Sequence, residues 1–199
     1  MKIAMIGSGA AGSVFAAYLR KGGAELWLVD KYKAHMDKIA ADGLVFRTPE
    51  GEEVLTGFHT SATAHDIGTM DMVILMVKAT QTADVMADTM PCIGPETVVV
   101  SLQNGLGNDE VLAQFVETDR ILYGSGLIGT ELAGPGVCVS KPERASRCTS
   151  APCTTTRRPT PPARRSRRAS RLAAATRALT KTCARTSGRK SSPTAAITA

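Results

Sequence analysis

Residues 1–144 predict an α/β fold, a doubly wound parallel sheet, on three observations. Short, continuously apolar runs alternate with longer amphipathic stretches. Those runs do not alternate apolar with polar, which is the pattern of strands buried on both faces. The first run also opens onto a glycine-rich turn, a helix and a second strand, the unit from which parallel strands are built.

Lys2–Ile6 is the first strand, and it ends in Gly7-Ser8-Gly9-Ala10-Ala11-Gly12. Ser13–Lys21 follows as a helix, stopped by Gly22-Gly23, and Glu25–Val29 is a second strand ending at Asp30. Strand, GxGxxG, helix, strand and acid thus fall within about 30 residues, and this context predicts dinucleotide binding. Gly7 permits the tight turn, Gly9 lets a pyrophosphate approach the backbone, and Gly12 lets the helix pack on the strand. Ser8, Ala10 and Ala11 complete the loop, and the phosphate is expected at the helix N-terminus, where free N–H groups favour an anion. Asp30 favours hydrogen bonds from a ribose 2′-hydroxyl, and so NAD. Lys31 and Lys33 favour a 2′-phosphate, and so NADP. The turn alone leaves that choice open.

Lys33–Ala41 reads as a helix, and Leu44–Arg47 with Glu53–Gly57 as a hairpin around Pro49-Glu50-Gly51. Met72–Val77 is a third strong strand, running into Lys78-Ala79-Thr80-Gln81-Thr82. Ala83–Met90 is helical and is stopped by Pro91. Thr97–Leu102 is a fourth strand, ending at Gln103-Asn104-Gly105-Leu106-Gly107-Asn108, and a helix follows from Asp109 to about Val116. Ile121–Tyr123 and a strand pair around Gly134-Pro135-Gly136 complete this part. In such a sheet ligands sit at the carboxyl ends of the strands, so Lys78 and Asn104 are expected to face one cleft with the glycine loop. A cation there attracts a carboxylate, and an Asn side chain offers both a donor and an acceptor.

The opening MKIAMIGSGAAGS, the VKATQT stretch and the SLQNGLGNDE stretch resemble the ketopantoate reductase (2-dehydropantoate 2-reductase) family. The resemblance covers about residues 1–144, which correspond to that family's Rossmann NAD(P)-binding domain. It implies NADPH-dependent reduction of a 2-oxo acid, ketopantoate to pantoate, on the route to pantothenate. It also implies that Lys78 lies near nicotinamide and substrate, that Asn104 contacts both cofactor and substrate, and that Thr130 makes a backbone contact to the cofactor. Another 2-oxo acid reductase or an opine-type reductase would share this half.

Residues 145–199 are unlike the rest. They contain no Asp, Glu, Val, Met or aromatic residue, and only Leu172, Leu179 and Ile197 as large aliphatics. The net charge of +6 is therefore a sum of about −7 over residues 1–144 and +13 over the remainder. So little bulky apolar surface predicts a basic tail that is disordered or weakly helical. By resemblance, a helical second domain belongs here, with a proton-donating lysine on a Leu/Ile-Trp-Lys/Arg-Lys stretch followed by Asn. No such stretch stands in frame, so no catalytic proton donor is expected in this chain. The genetic code, however, lets the codons of Lys181–Ala196, read one frame over, spell Asp-Val-Arg-Lys-Asp-Ile-Trp-Lys-Lys-Val-Ile-Ala-Asn-Ser-Gly. A frameshift near Arg144 is the expectation. The rival is a nucleic-acid-binding arm built on Arg157-Arg158 and Arg164–Arg168, without aromatic residues for base stacking.

Cys92, Cys138, Cys148, Cys153 and Cys183 show no metal-binding or redox spacing, and His35, His59 and His65 are isolated and expected on the surface. No metal site, membrane span or signal peptide is expected, and the default location is cytoplasmic. Nothing in the sequence fixes an oligomeric state.

Overall fold

The computed structural model describes residues 1–141, 147–152, 170, 173–175 and 177. In chain order the elements are β1 (Lys2–Ile6), α1 (Ala10–Lys21), β2 (Glu25–Val29), α2 (Lys33–Asp42), β3 (Leu44–Thr48), β4 (Gly51–Leu55) and β5 (Phe58–Ser61). There follow β6 (Met70–Leu75), α3 (Thr82–Thr89), β7 (Ile93–Ser101), α4 (Asn108–Leu112), β8 (Ile121–Leu127), β9 (Gly129–Gly134), β10 (Val137–Lys141) and β11 (Arg147–Pro152).

Six strands form a parallel sheet in the order β5-β2-β1-β6-β7-β8, and β11 adds antiparallel to the edge of β8. This is the doubly wound, Rossmann-like sheet that the alternation of strands and helices predicts, and its winding reverses between β1 and β6. Period-two alternation explains the uninterrupted apolar runs. Ile3, Met5, Leu26, Leu28, Met72, Ile74, Val98 and Val100 enter one core with α1 and α2. Ala4, Ile6, Val29, Val73, Leu75 and Val99 enter the other, with Met86 of α3 and Leu112 of α4. Both faces are covered, so both sets of side chains are apolar.

A second sheet, β4-β3-β10-β9, covers the outer side of α1. The β3–β4 hairpin turns on Pro49-Glu50, with Thr48 paired to Gly51, and β10 runs parallel to β3. Wedged between the two sheets, α1 buries Gly12, Ser13, Val14, Phe15, Ala16, Ala17 and Leu19. That is why small residues dominate its middle.

Several boundaries differ from expectation. β6 begins and ends two residues earlier than the apolar run suggests, so Met76 and Val77 leave the sheet and lead into Lys78. The helix expected to reach Val116 ends at Leu112, because Gln114 and Phe115 donate to carbonyls three residues back and tighten the last turn. β5, an edge strand of four residues, carries too short a pattern to be read from the sequence. Within the basic tail, Arg147–Pro152 form β11, which composition did not signal. Ser170, Ala173–Ala175 and Arg177 are helical, and Ala175 is buried in the first core. The arginine clusters and Lys181–Ala196 lie outside the described residues.

Candidate functional site

The turn after β1 is built on steric limits. Gly7 has φ +89°, and a Cβ there would meet the Val77 backbone nitrogen at 2.8 Å. A Cβ on Gly12 would lie 2.1 Å from the Gly7 carbonyl oxygen, so α1 can seat on β1 only without one. Gly9 differs. Its φ is −69°, and a Cβ on it would meet nothing within 4 Å. The first helical bond runs from Ser13 N–H to the Gly9 carbonyl, which leaves the earlier N–H groups of the turn without an intrahelical acceptor. Open space before unspent donors at a helix N-terminus fits a dinucleotide pyrophosphate.

Two cavities, of about 400 Å³ and 410 Å³, open at the carboxyl ends of the strands. Gly7, Gly9, Asp30 and Lys31 line the first, with Ala62, Thr63 and Ala64. Ala11, Asn104 and Thr130 line the second, with Phe15, Leu102 and Ile128. Met76, Val77 and Lys78 belong to both and form their shared wall. Each cavity is of a size usual for small-molecule sites.

Most residues singled out from the sequence therefore converge. Ser8, Ala10 and Gly12 belong to the turn without lining either cavity, and Ser8 is fully buried, its hydroxyl donating to the Met5 carbonyl at 3.2 Å. One Asp30 carboxylate oxygen already accepts the Tyr32 N–H at 2.9 Å. Lys31 faces the cavity, but Lys33 does not and pairs with Asp37 at 2.6 Å. Lys78 is exposed and makes no ion pair among the described residues.

His35 corrects the expectation of three surface histidines. It is fully buried, whereas His59 and His65 are exposed. Its Nδ1 accepts the Gly136 N–H at 2.8 Å, and its Nε2 lies 3.0 Å from Ser13 Oγ. Ser13 Oγ donates to the Ser8 carbonyl at 2.7 Å, so its oxygen accepts from Nε2–H. One neutral imidazole thus links the second sheet to the glycine turn. The sequence pattern missed it because Gly136 lies 101 residues away.

Burial pushes the His35 pKa below its ordinary 6.5, against Asp30 and the Ser8 backbone, which pull it upward. The unfolded chain takes up this proton as pH falls through 6.5, while the folded chain resists it. His35 therefore stabilises fully above that value and progressively less below it. Melting temperatures should fall from pH 7.5 to about 5.5 more steeply in the native chain than in a His35→Gln variant. Parallel profiles would assign the slope to other groups.

A second buried network went unread at the far wall. Gln103, 4% exposed, donates from Nε2 to the Val77 carbonyl and to Thr82 Oγ1, both at 2.9 Å. Its Oε1 accepts from Ser101 Oγ at 2.9 Å. Thr82 Oγ1 donates to the Ala79 carbonyl at 2.8 Å. The Gly105 carbonyl accepts from Tyr123 at 2.7 Å and Asn108 at 3.2 Å, which pins the loop carrying Asn104. Burial raises the thiol pKa of Cys92 to about 11 and of Cys138 to about 12, so neither is a nucleophile at neutral pH. Among the described residues no group of His, Cys, Asp and Glu gathers to hold a metal, and no helix is long and apolar enough to cross a membrane.

Sheet order, glycine turn and cleft define a Rossmann-type domain with its cavities at the reversal of winding. A family model described as "Ketopantoate reductase PanE/ApbA" matches residues 3–145. The chain belongs to that family. It is 33% identical over 139 residues to the 2-dehydropantoate 2-reductase of Lactococcus lactis subsp. lactis, covering 68% of this chain and 44% of that protein. The chain spans less than half the length of the curated relatives it matches. Among solved structures, 2-dehydropantoate 2-reductase from Geobacter metallireducens superposes with a TM-score of 0.76 at 24% identity, over 92% of this chain and 56% of that one, a likeness of fold. A ternary D-mandelate dehydrogenase structure with NADH and anilino(oxo)acetate superposes at 0.73 and 25% identity, over 92% and 54%.

Proposed function

We propose that this chain carries the nucleotide-binding half of an NADPH-dependent reductase of 2-dehydropantoate or a close 2-oxo acid. The observation that carries the reading is Lys78 on the wall shared by both cavities, with Asn104 lining the second. A reduced nicotinamide, when bound, supplies the hydride for a ketone carbon. The glycine turn holds the pyrophosphate through its backbone N–H groups. Lys31 meets a 2′-phosphate, with Asp30 half committed to its own turn. Lys78 draws the substrate carboxylate, Asn104 orients it, and Thr130 approaches the cofactor from β9. The D-mandelate dehydrogenase likeness supports a 2-oxo acid as the substrate class more than any single substrate.

In this reading the family's proton-donating lysine is absent from the frame, and residues 145–199 translate its coding region out of register. The change of charge and composition after Arg144 supports this, as does the Trp-Lys-Lys helix recoverable from the shifted codons. Purified chain should gain melting temperature with NADPH, less with NADH, and should show no NADPH oxidation above background with ketopantoate. Absence of any nucleotide-induced shift would remove the binding assignment. Measurable turnover would remove the claim of a missing donor.

A further inference from the structure

We propose that Gln103 is a positioning residue that fixes Lys78 and Asn104 relative to one another for the nicotinamide end of the dinucleotide. The proposal rests on the reading of the cleft given above. Its basis is connectivity. Gln103 immediately precedes Asn104 just beyond the end of β7, and its side chain reaches beyond the end of the neighbouring β6 to hold the Val77 carbonyl, immediately before Lys78. Its second amide proton goes to Thr82 Oγ1, which in turn holds the Ala79 carbonyl, immediately after Lys78. The peptide before Lys78 and the carbonyl of the residue after it are thereby tied to the strand end that carries Asn104.

The orientation of the amide is determined. The Val77 carbonyl can only accept, so the amide nitrogen faces it and Oε1 accepts from Ser101 Oγ. Gln103 is 4% exposed, and losing these bonds takes a donor from the part-buried Val77 carbonyl and from the buried Thr82 hydroxyl. A residue that only filled this space would need no donor. Gln103 supplies two, both directed at the segment around Lys78.

The test compares NADPH with 2′-phospho-ADP-ribose, which keeps the phosphates and lacks nicotinamide. Gln103→Met preserves bulk and removes the donors, while Thr82→Val preserves shape and removes the relay to Ala79. Gln103→Met should raise the Kd for NADPH about tenfold, and Thr82→Val about threefold. The Kd for 2′-phospho-ADP-ribose should move less than about twofold in either variant. Equal losses for both ligands would make Gln103 a residue of the fold alone, and unchanged NADPH binding in Gln103→Met would give it no role. If Gln103→Met fails to fold by circular dichroism, Thr82→Val decides on the same two ligands. A native chain that binds neither NADPH nor 2′-phospho-ADP-ribose would overturn the cofactor reading itself, whereas one that holds both equally would overturn the nicotinamide role given to Gln103.

Discussion

Gly12→Ala should cost roughly 3 kcal/mol and lower Tm by about 10 °C. The single added methyl would sit 2.1 Å from the Gly7 carbonyl oxygen, well inside van der Waals contact. Neither partner can yield cheaply. Gly7 is held by its N–H bond to the Val29 carbonyl at 2.9 Å and by the close backbone of Val77. On its other side α1 is backed by β9 and β10, so the helix cannot retreat. The usual preference of helices for alanine over glycine, about 1 kcal/mol, is overridden by this contact. Thermal melts of the two proteins decide the point. A variant as stable as the native chain would mean that α1 has slack the geometry denies.

Gly9→Asp should do the reverse, sparing the fold and abolishing nucleotide binding. Its φ of −69° suits any residue, and a Cβ there meets nothing within 4 Å. The new carboxylate would stand where the pyrophosphate is expected, opposing an anion with an anion. Nucleotide at a hundred times its Kd stabilises the native chain by about 2.7 kcal/mol, or about 5–10 °C. In Gly9→Asp that shift should fall below about 1 °C, with the unliganded Tm within about 2 °C of native. An undiminished shift would place the nucleotide elsewhere. Taken together, the pair separates a glycine needed by the protein from one needed by the ligand.

What could be read from the sequence was local. The glycine turn, the strands β1 and β2 and the acid after them follow one another within about 30 residues, and each residue type has one evident physical reason. Lys78 and Asn104 were legible because strand ends in a parallel sheet point one way. His35 was not, because a helix face says nothing about the sheet that returns a hundred residues later to cover it. Gln103 beside Asn104 reads as a polar turn until Val77 and Thr82 are seen beside it, past the end of the neighbouring strand. β5 and β11 owe their form to pairing with β2 and β8 rather than to their own side-chain pattern.

The bond between His35 and Gly136 also bears on the order in which the domain is made. The glycine turn is encoded first, yet the His35 bond that links it to the second sheet forms only when the β9–β10 turn arrives. Closing a loop of that length is entropically slow and must precede its reward. On a ribosome the N-terminal turn would wait, its helix covered by β3 but not yet by β9 and β10, until residue 140 or so has cleared the exit. The finished glycine turn is thus a late product of synthesis, although its signature is the first thing translated.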